Sequence, residues 1–404
     1  MGRTLRSLYI CYLSLEDPLV HSQVVAYLEG LARRGHTIHL LTFDTPISDE
    51  RRAELRRDLA NRGITWHSRR YHKRPSLPAT VYDVLAGAVT AVRIVRRHGL
   101  DAVHARNHVP AAMGLLARWV TRGRLIFDLR GLMAEEYVDA GHWREGGIPY
   151  RLTHLVQAAA IRRCDGMVML TEAVRAYLFG AVADSDVRMV IPCCADVSGR
   201  NGNSAEARIR GELELGERPV MVYVGKFTGW YMEREMVDFF VTARRLCPGL
   251  AFLVLTQSDI SIIEREFRRA EVSSEDYRVT SAQPSAVRAY LAVAEFGISF
   301  VRPCFSKISS SPTKIGEYLA AGLPVVSTSG IGDIDALLDG ARVGAVVSRL
   351  DSSAYEAAAA EALALAKDAD ARERCVALAR DRLSLDEVGI PRYDRLYRAV
   401  AGTA

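Results

Sequence analysis

Ser309-Ser310-Ser311-Pro312-Thr313-Lys314-Ile315-Gly316-Glu317-Tyr318-Leu319-Ala320-Ala321-Gly322-Leu323-Pro324-Val325-Val326 reads as a loop, a short helix, a tight turn and a buried strand. Ser311 is a good N-cap, because its hydroxyl accepts from a free amide of the first turn. Pro312 then falls at the first helical position, where its missing N–H costs nothing. Gly322 suits the left-handed residue that closes a helix, and Pro324 prevents its resumption. A helix N-terminus presents unpaired amides and the positive end of the dipole, which together attract an anion. Lys314 adds a point charge, and Glu317 leans towards the same end from one turn on, since helical side chains tilt N-terminally. Amides and Lys for phosphates, with a carboxylate for two ribose hydroxyls, suit a nucleoside diphosphate. The plainer alternative is an ordinary buried helix–strand unit with Glu317 solvated or salt-bridged.

Outward from this stretch, short apolar strands alternate with longer helices. The spacing predicts strands at Leu8–Leu13, Thr37–Phe43, Ile64–His67, Ala102–Ala105, Arg124–Leu129, Gly166–Leu170 and Val187–Ile191. Helices are expected over Val20–Arg34, Asp49–Asn61, Thr80–Arg97, Pro110–Val120, Tyr150–Arg163 and Glu172–Phe179. Ser198 to Ser204 has the most linker-like composition, after which the alternation restarts at Val220–Val224. Such a pattern means parallel sheets covered on both faces. We therefore expect an α/β protein of two doubly wound domains facing a central cleft. The first spans residues 1–195, joined by a C-terminal helix from 384–404 that crosses back to it; the second spans 196–383. Ligands in such sheets sit beyond the carboxyl ends of the strands, which places Ser14–Ser22, Arg106–Pro110, Arg130–Glu136, Gly225–Trp230 and Cys304–Lys314 around one crevice.

The 404 residues suffice for two or three domains, and 49% hydrophobic residues is ordinary for a protein with sizeable cores. The net charge of +5 neither requires nor excludes an anionic partner. The seven cysteines include no C-x2-C pair; an odd count without a recognisable signal peptide suggests reduced thiols and a cytoplasmic protein. The apolar run Leu8–Leu15 is short and ends in Glu16-Asp17, so it reads as a strand. No stretch reads as long and apolar enough to span a bilayer.

At this point the residues resemble a known family. The tandem doubly wound halves, with Ser-Pro-Thr-Lys-Ile-Gly-Glu-Tyr-Leu-Ala-Ala-Gly-Leu-Pro-Val-Val at 311–326 in the second, are similar to the family-4 glycosyltransferases of the GT-B fold. Residues 27–42, 101–106, 190–196 and 386–397 agree with other stretches of that family. The resemblance implies a nucleotide-sugar donor in the second domain and an acceptor in the first. It also implies transfer with retention at the anomeric carbon and without a metal. Donor-binding residues then expected are Gly225, Lys226, Ser309, Ser311, Thr313, Lys314 and Glu317. Of the family's pair of glutamates, Glu317 matches the ribose contact, but Ser309 stands where the first faces the donor sugar. The usual glycine pair after the first strand is also replaced, here by Glu16 to Ser22.

Catalytic expectations fall on Arg130, Asp128, His21 and Lys226. Lys226 would neutralise phosphate, and Arg130, where relatives carry a histidine, would stabilise the departing diphosphate. Asp128 would orient Arg130 or serve the acceptor hydroxyl, with a structural ion pair as the plain alternative. His21 lies in the first loop of the fold. Asp17, His104, Arg106 and Glu135 are expected at the acceptor, although a strand histidine such as His104 is more often a packed residue. Asp184-Ser-Asp186 and Asp333-Ile-Asp335 match a loose D-x-D pattern without supporting ligands and read as structural, Asp333 as an N-cap. The basic run His67–Arg74 suits either lipid headgroups or plain solvation, with no nucleic-acid motif beside it. The leading expectation is thus a retaining glycosyltransferase that needs no cofactor beyond its nucleoside-diphosphate-sugar co-substrate. Its acceptor would be a glycan, a lipid-linked molecule or a small molecule, with a peripheral contact to the inner membrane face through 67–74. A sugar-nucleotide epimerase or hydrolase, and a non-catalytic nucleotide-sugar-binding subunit, are the alternatives.

Overall fold

The computed structural model describes residues 3–181, 185–197 and 203–402. The chain divides into two compact units: Met1–Pro192 with Phe305–Ser310 and Asp386–Ala404, and Cys193–Cys304 with Ser311–Leu385.

The first unit holds a parallel sheet of seven strands: β1 (Arg6–Cys11), β2 (Thr37–Asp44), β3 (Ile64–Arg70), β4 (Ala102–Arg106), β5 (Arg124–Asp128), β6 (Gly166–Met169) and β7 (Arg188–Val190). Their order is β3-β2-β1-β4-β5-β6-β7, so the winding reverses between β1 and β4. That reversal opens a crevice beyond the carboxyl ends of the two strands, the usual ligand position in an open parallel sheet. Leu8, Ile10, Leu41, Phe43, Leu125 and Phe127 pack on one face with Ala88, Ala91, Ile94 and Val95 of the helix Ser76–His98. The C-terminal helix Ile390–Gly402 returns to this unit, where Tyr393, Leu396, Tyr397 and Val400 are buried.

The second unit repeats the plan with β8 (Val220–Val224), β9 (Ala251–Leu255), β10 (Tyr277–Thr280), β11 (Phe296–Ser299), β12 (Val325–Thr328) and β13 (Gly344–Val347). The order is β10-β9-β8-β11-β12-β13, with the reversal between β8 and β11. Along β8, Val220 and Val222 join one core while Met221 and Tyr223 join another. Both faces are therefore covered, which is why these strands are continuously apolar instead of alternating.

Most elements lie where the periodicity puts them, and the differences have local causes. The first helix is broken: Pro18–Val20, a π-turn over His21–Val25, then Ala26–Arg33. The acid-rich helix Met133–Asp139 is too short to declare a period, and Asn203–Glu212 begins inside the linker-like stretch. The remainder of that stretch, 198–202, and Asp184 of the first D-x-D lie outside the described residues. The expectation that no stretch is long and apolar enough to cross a bilayer is corrected: Ser76–His98 meets both criteria, by length and composition only. Residues 305–310, read from sequence as part of the second domain, belong to the first unit. The Thr171 hydroxyl donates to the Ile308 carbonyl (2.6 Å), the Ser306 amide to Asp139 (3.0 Å), and the Leu132 amide to the Ser309 hydroxyl (3.1 Å).

Candidate donor and acceptor sites

In the second unit the helix over the opening stretch runs Thr313–Ala320, one residue later than the sequence suggests. Pro312 takes the N-cap position without a side-chain bond, and Ser311 instead accepts from the Cys193 amide at 3.1 Å. The predicted Ser311 cap is thereby corrected: its hydroxyl ties the helix entry to the start of the unit, and the first-turn amides have no side-chain cap. Gly322 does adopt the left-handed conformation (φ 78°), and the Leu323 amide bonds back to the Tyr318 carbonyl at 2.9 Å, closing the helix as expected.

Two tyrosines set the position of this helix. The Tyr318 hydroxyl accepts from the Val224 amide at 2.8 Å and donates to the Ile298 carbonyl at 3.3 Å, pinning the helix across the ends of β8 and β11. A Cβ on Gly297 would collide with the Tyr318 ring, so β11 needs glycine there. Lys314 is buried, its Nζ donating to the Tyr223 hydroxyl at 2.9 Å. The same ammonium stands 4.0 Å from the Tyr223 ring centroid and 3.6 Å from that of Tyr231, cation–π distances that partly replace lost hydration. Burial nonetheless pushes the Lys314 pKa well below the ordinary lysine value, with Glu317 pulling the other way. Glu317, one turn along and half-buried, has its carboxyl pushed up by burial and pulled down by Lys314.

Gly225 follows β8 with φ 117°, a conformation open to glycine. A Cβ there would stand 3.3 Å from Lys314 Nζ, so the bare backbone is what lets the ammonium in. Lys226 is exposed on the same loop, and its carbonyl accepts from the Tyr223 hydroxyl. Lys314, Glu317, Gly225, Lys226, Thr313 and Ser311 thus gather on one unit, around the reversal between β8 and β11. Ser309 belongs to the first unit, where it is buried, its hydroxyl donating to the Ser306 carbonyl at 2.7 Å while accepting from the Leu132 amide. The sequence reading missed Tyr223 and Tyr231. A tyrosine in an otherwise aliphatic strand was the available signal, because a buried phenol needs a polar partner.

In the first unit Asp128 ends β5 and is fully buried. Its Oδ2 accepts from the hydroxyls of Tyr9 (3.3 Å) and Tyr393 (3.1 Å) and lies 3.7 Å from His104 and 3.8 Å from Arg106. Its Oδ1 accepts from Arg130 at 3.5 Å. Burial alone would raise its pKa, but Arg130, His104 and Arg106 hold it well below the usual carboxylate range. Asp128 has no surface of its own, and its contact with Arg130 fits either the orientation of that guanidinium or the plain structural ion pair. His104 is a packed residue: it is buried, and its Nδ1 pairs with the Tyr397 hydroxyl at 2.8 Å. Arg106 is buried too, donating to the Gln23 carbonyl at 3.4 Å. Tyr393 and Tyr397 bind the returning helix to this cluster, a link between residues far apart in the chain that the sequence did not disclose.

The other expected residues are spread along the same unit. Asp17 caps the turn Pro18–Val20 by accepting from the Leu19 amide at 2.9 Å, and His21 opens the π-turn half-buried. Glu135 is buried, with Oε1 2.9 Å from His154 Nε2 and Oε2 without a hydrogen-bond partner. The expected Asp333 cap is corrected: Asp333 makes no side-chain cap, and Asp335 in the first turn accepts from the Ser329 hydroxyl (2.6 Å) and the Gly330 amide (3.1 Å), tying the preceding loop to the helix. The basic run is no free loop. His67 Nε2 pairs with His39 Nδ1 at 3.0 Å, Arg69 donates to Thr90 at 2.8 Å, and His72 Nδ1 pairs with Asp83 at 2.7 Å. Arg70, Lys73 and Arg74 remain exposed.

Comparison with known proteins agrees with this geometry. Residues 20–198 match the profile of Glycosyltransferase Family 4. The sequence matches none of the curated proteins. Among solved structures, a glycosyltransferase from Rickettsia africae is similar over 100% of both chains, with TM-score 0.74 at 13% identity. Sucrose-phosphate synthase from Thermosynechococcus elongatus is similar over 100% of both chains, with TM-score 0.71 at 16% identity. HepE from Anabaena in complex with UDP-glucose gives TM-score 0.69 at 13% identity, over 97% of this chain and 99% of that one. Residues 20–198 thus match the family-4 glycosyltransferase profile, and the two-sheet fold of the whole chain is that of the similar GT-B structures.

Proposed function

We propose that the second unit binds a nucleoside-diphosphate sugar and that the sugar passes, with retention of configuration, to an acceptor hydroxyl. The observation that carries this reading is the Lys314 cradle: a buried ammonium, held by two tyrosines at a strand-order reversal, one helical turn from a half-buried carboxylate. A buried cation is costly unless a counter-charge meets it, and a diphosphate is such a counter-charge. The uncapped amides at Thr313, with Lys314 and the exposed Lys226, would meet the charge that grows on the leaving diphosphate. Glu317 would accept from the ribose hydroxyls.

In this scheme the acceptor oxygen bonds to the anomeric carbon on the face from which the diphosphate leaves. The carbon–oxygen bond to the diphosphate breaks, and the acceptor proton passes to a phosphate oxygen. Arg130, oriented by Asp128, is assigned to the phosphate side or to an anionic group on the acceptor. Glu135, whose Oε1 stands 2.9 Å from His154 Nε2, is assigned to the acceptor side. Ser309, whose hydroxyl is already bonded on both sides, is withdrawn from the donor-sugar contact, leaving that contact to other groups.

The acceptor we favour is lipid-linked. The helix Ser76–His98 exposes Leu77, Val81, Leu85 and Val89, spaced by four so that they form one apolar stripe. Arg70, Lys73 and Arg74 stand exposed just before it. An apolar stripe beside a basic cluster suits peripheral attachment to an anionic bilayer, moving the contact expected of 67–74 onto the helix that follows. Co-sedimentation with phosphatidylglycerol vesicles, lost in Leu85→Glu, tests this.

The reaction itself is tested by incubating the protein with UDP-, GDP-, ADP-, CDP- and TDP-sugars and a membrane extract, measuring nucleoside diphosphate release and the anomeric configuration of the product by NMR. Acceptor-dependent release with retention supports the reading. Turnover without acceptor would assign an epimerase or hydrolase, and tight donor binding with no turnover a binding subunit.

A further inference from the structure

We propose that the first unit carries a divalent transition-metal site made by His39, His67 and His98, independent of the donor and acceptor sites. His39 lies on β2, His67 on β3, and His98 is the last residue of the helix Ser76–His98. In the register, Leu41 of β2 stands opposite His67, so His39 is one pleat away on the neighbouring strand. The same alternation that sends Leu41 and Phe43 to the core beneath the helix sends His39 to that face, where the helix ends. Three separate elements thus converge, and one ring nitrogen from each histidine lies within 4.8 Å of the others.

The spacing suits metal ligation. His39 Nδ1 and His67 Nε2 are 3.0 Å apart. Two ligands on a tetrahedral zinc, at about 2.0–2.1 Å each, stand about 3.3 Å from one another. The pair is therefore already close to the required edge, and both rings sit in the partly buried interior. His98 is exposed, and its ring centroid lies 4.5 Å from that of His39. A small rotation of this surface side chain would complete the third position.

The chemistry of the set selects the ion. Three imidazoles without a carboxylate suit zinc, cobalt, nickel or copper, and not magnesium or calcium, which take oxygen ligands. A three-histidine set leaves a fourth position open. His39 and His67 sit within their strands, whereas the acceptor-side residues Arg106 and Asp128 end theirs. The ion would brace β2, β3 and the end of the long helix without taking part in transfer.

The test uses the full chain, freed of metal by chelation and dialysis. Cobalt(II) is added while the visible d–d bands of a four-coordinate ion are followed, and zinc competition gives its affinity. One equivalent of cobalt with such bands is expected, displaced by zinc, with zinc raising the melting temperature. His98→Ala, a surface change that leaves the fold intact, should weaken binding at least tenfold and abolish the zinc-dependent rise. Absence of the bands, or bands and affinity unchanged in His98→Ala, would overturn the proposal. Sugar-nucleotide turnover is not a readout, so this outcome is separate from that of the proposed reaction.

Discussion

Replacing Lys314 by Met separates nucleotide binding from folding. The two side chains are similar in length, so Met fills the same slot between Tyr223 and Tyr231. For folding, two contributions oppose each other. Losing the cation–π contacts costs about 1–2 kcal/mol. Removing a buried ammonium is neutral or returns about 1–4 kcal/mol, since an apolar group of like volume often replaces a buried charge without loss. The two terms largely offset, so the stability of Lys314→Met should stay within about 2–3 kcal/mol of the wild type and the variant should remain folded. For binding there is no such compensation. A diphosphate oxygen about 5 Å from the ammonium, at an effective dielectric constant of about 20, gains roughly 3 kcal/mol. Burial lowers the Lys314 pKa and so works against this gain, which makes the loss in the variant at most about 3 kcal/mol, or roughly 150-fold in Kd. Isothermal titration with whichever of UDP, GDP, ADP, CDP or TDP binds the wild type most tightly measures this directly. A Kd within about threefold of wild type, with the fold intact, would refute the assignment of Lys314 to the diphosphate.

Further outcomes follow from the same geometry. Because burial lowers the Lys314 pKa and a bound diphosphate would raise it, binding takes up a proton, and affinity falls as pH rises between the free and bound values; titration heats in buffers of different ionisation enthalpy read that uptake. Gly225→Ala places a Cβ against Lys314 Nζ in a backbone conformation that alanine disfavours, so it should cost about 1–3 kcal/mol of stability and weaken nucleotide binding as well, read by urea unfolding and titration. Asp128→Asn leaves Arg106 and Arg130 without their buried counter-charge and should destabilise the protein by about 3–5 kcal/mol, seen as a lower urea midpoint. The native Asp128 pKa is depressed, so its contribution to stability is present above the unfolded value near 4 and lost as pH falls through the native one; the variant's urea midpoint should therefore fall less on acidification than the wild type's.

The alternation of strands and helices was legible because parallel strands covered on both faces are uniformly apolar, as in Val220–Val224, whose bounds the structure reproduces. The donor helix was legible through its terminators, Pro312 and Gly322. What local pattern could not supply were partners distant in sequence. Ser311 looks like a cap because the serine before Pro312 usually is one, yet its hydroxyl is taken by Cys193, 118 residues away. Ser309 sits two residues before Ser311 but belongs to the other unit, a change that tertiary bonds to Leu132 impose. Asp128 reads as a catalytic carboxylate at a strand end until Tyr9 and Tyr393 are seen to enclose it. His67 reads as part of a basic surface run until β3 turns it towards His39.

The central claim is that Glu317 and Lys314 hold the ribose and diphosphate of one donor. Its most direct test is a two-by-two titration: wild type and Glu317→Ala, each with UDP (or whichever nucleoside diphosphate the wild type prefers) and its 2′-deoxy analogue. The wild type should bind the ribonucleotide more tightly than the deoxy form by about tenfold, one hydrogen bond to a charged group. Glu317→Ala should lose both the affinity and the discrimination. Equal binding of the ribonucleotide by the variant and the wild type would contradict the claim.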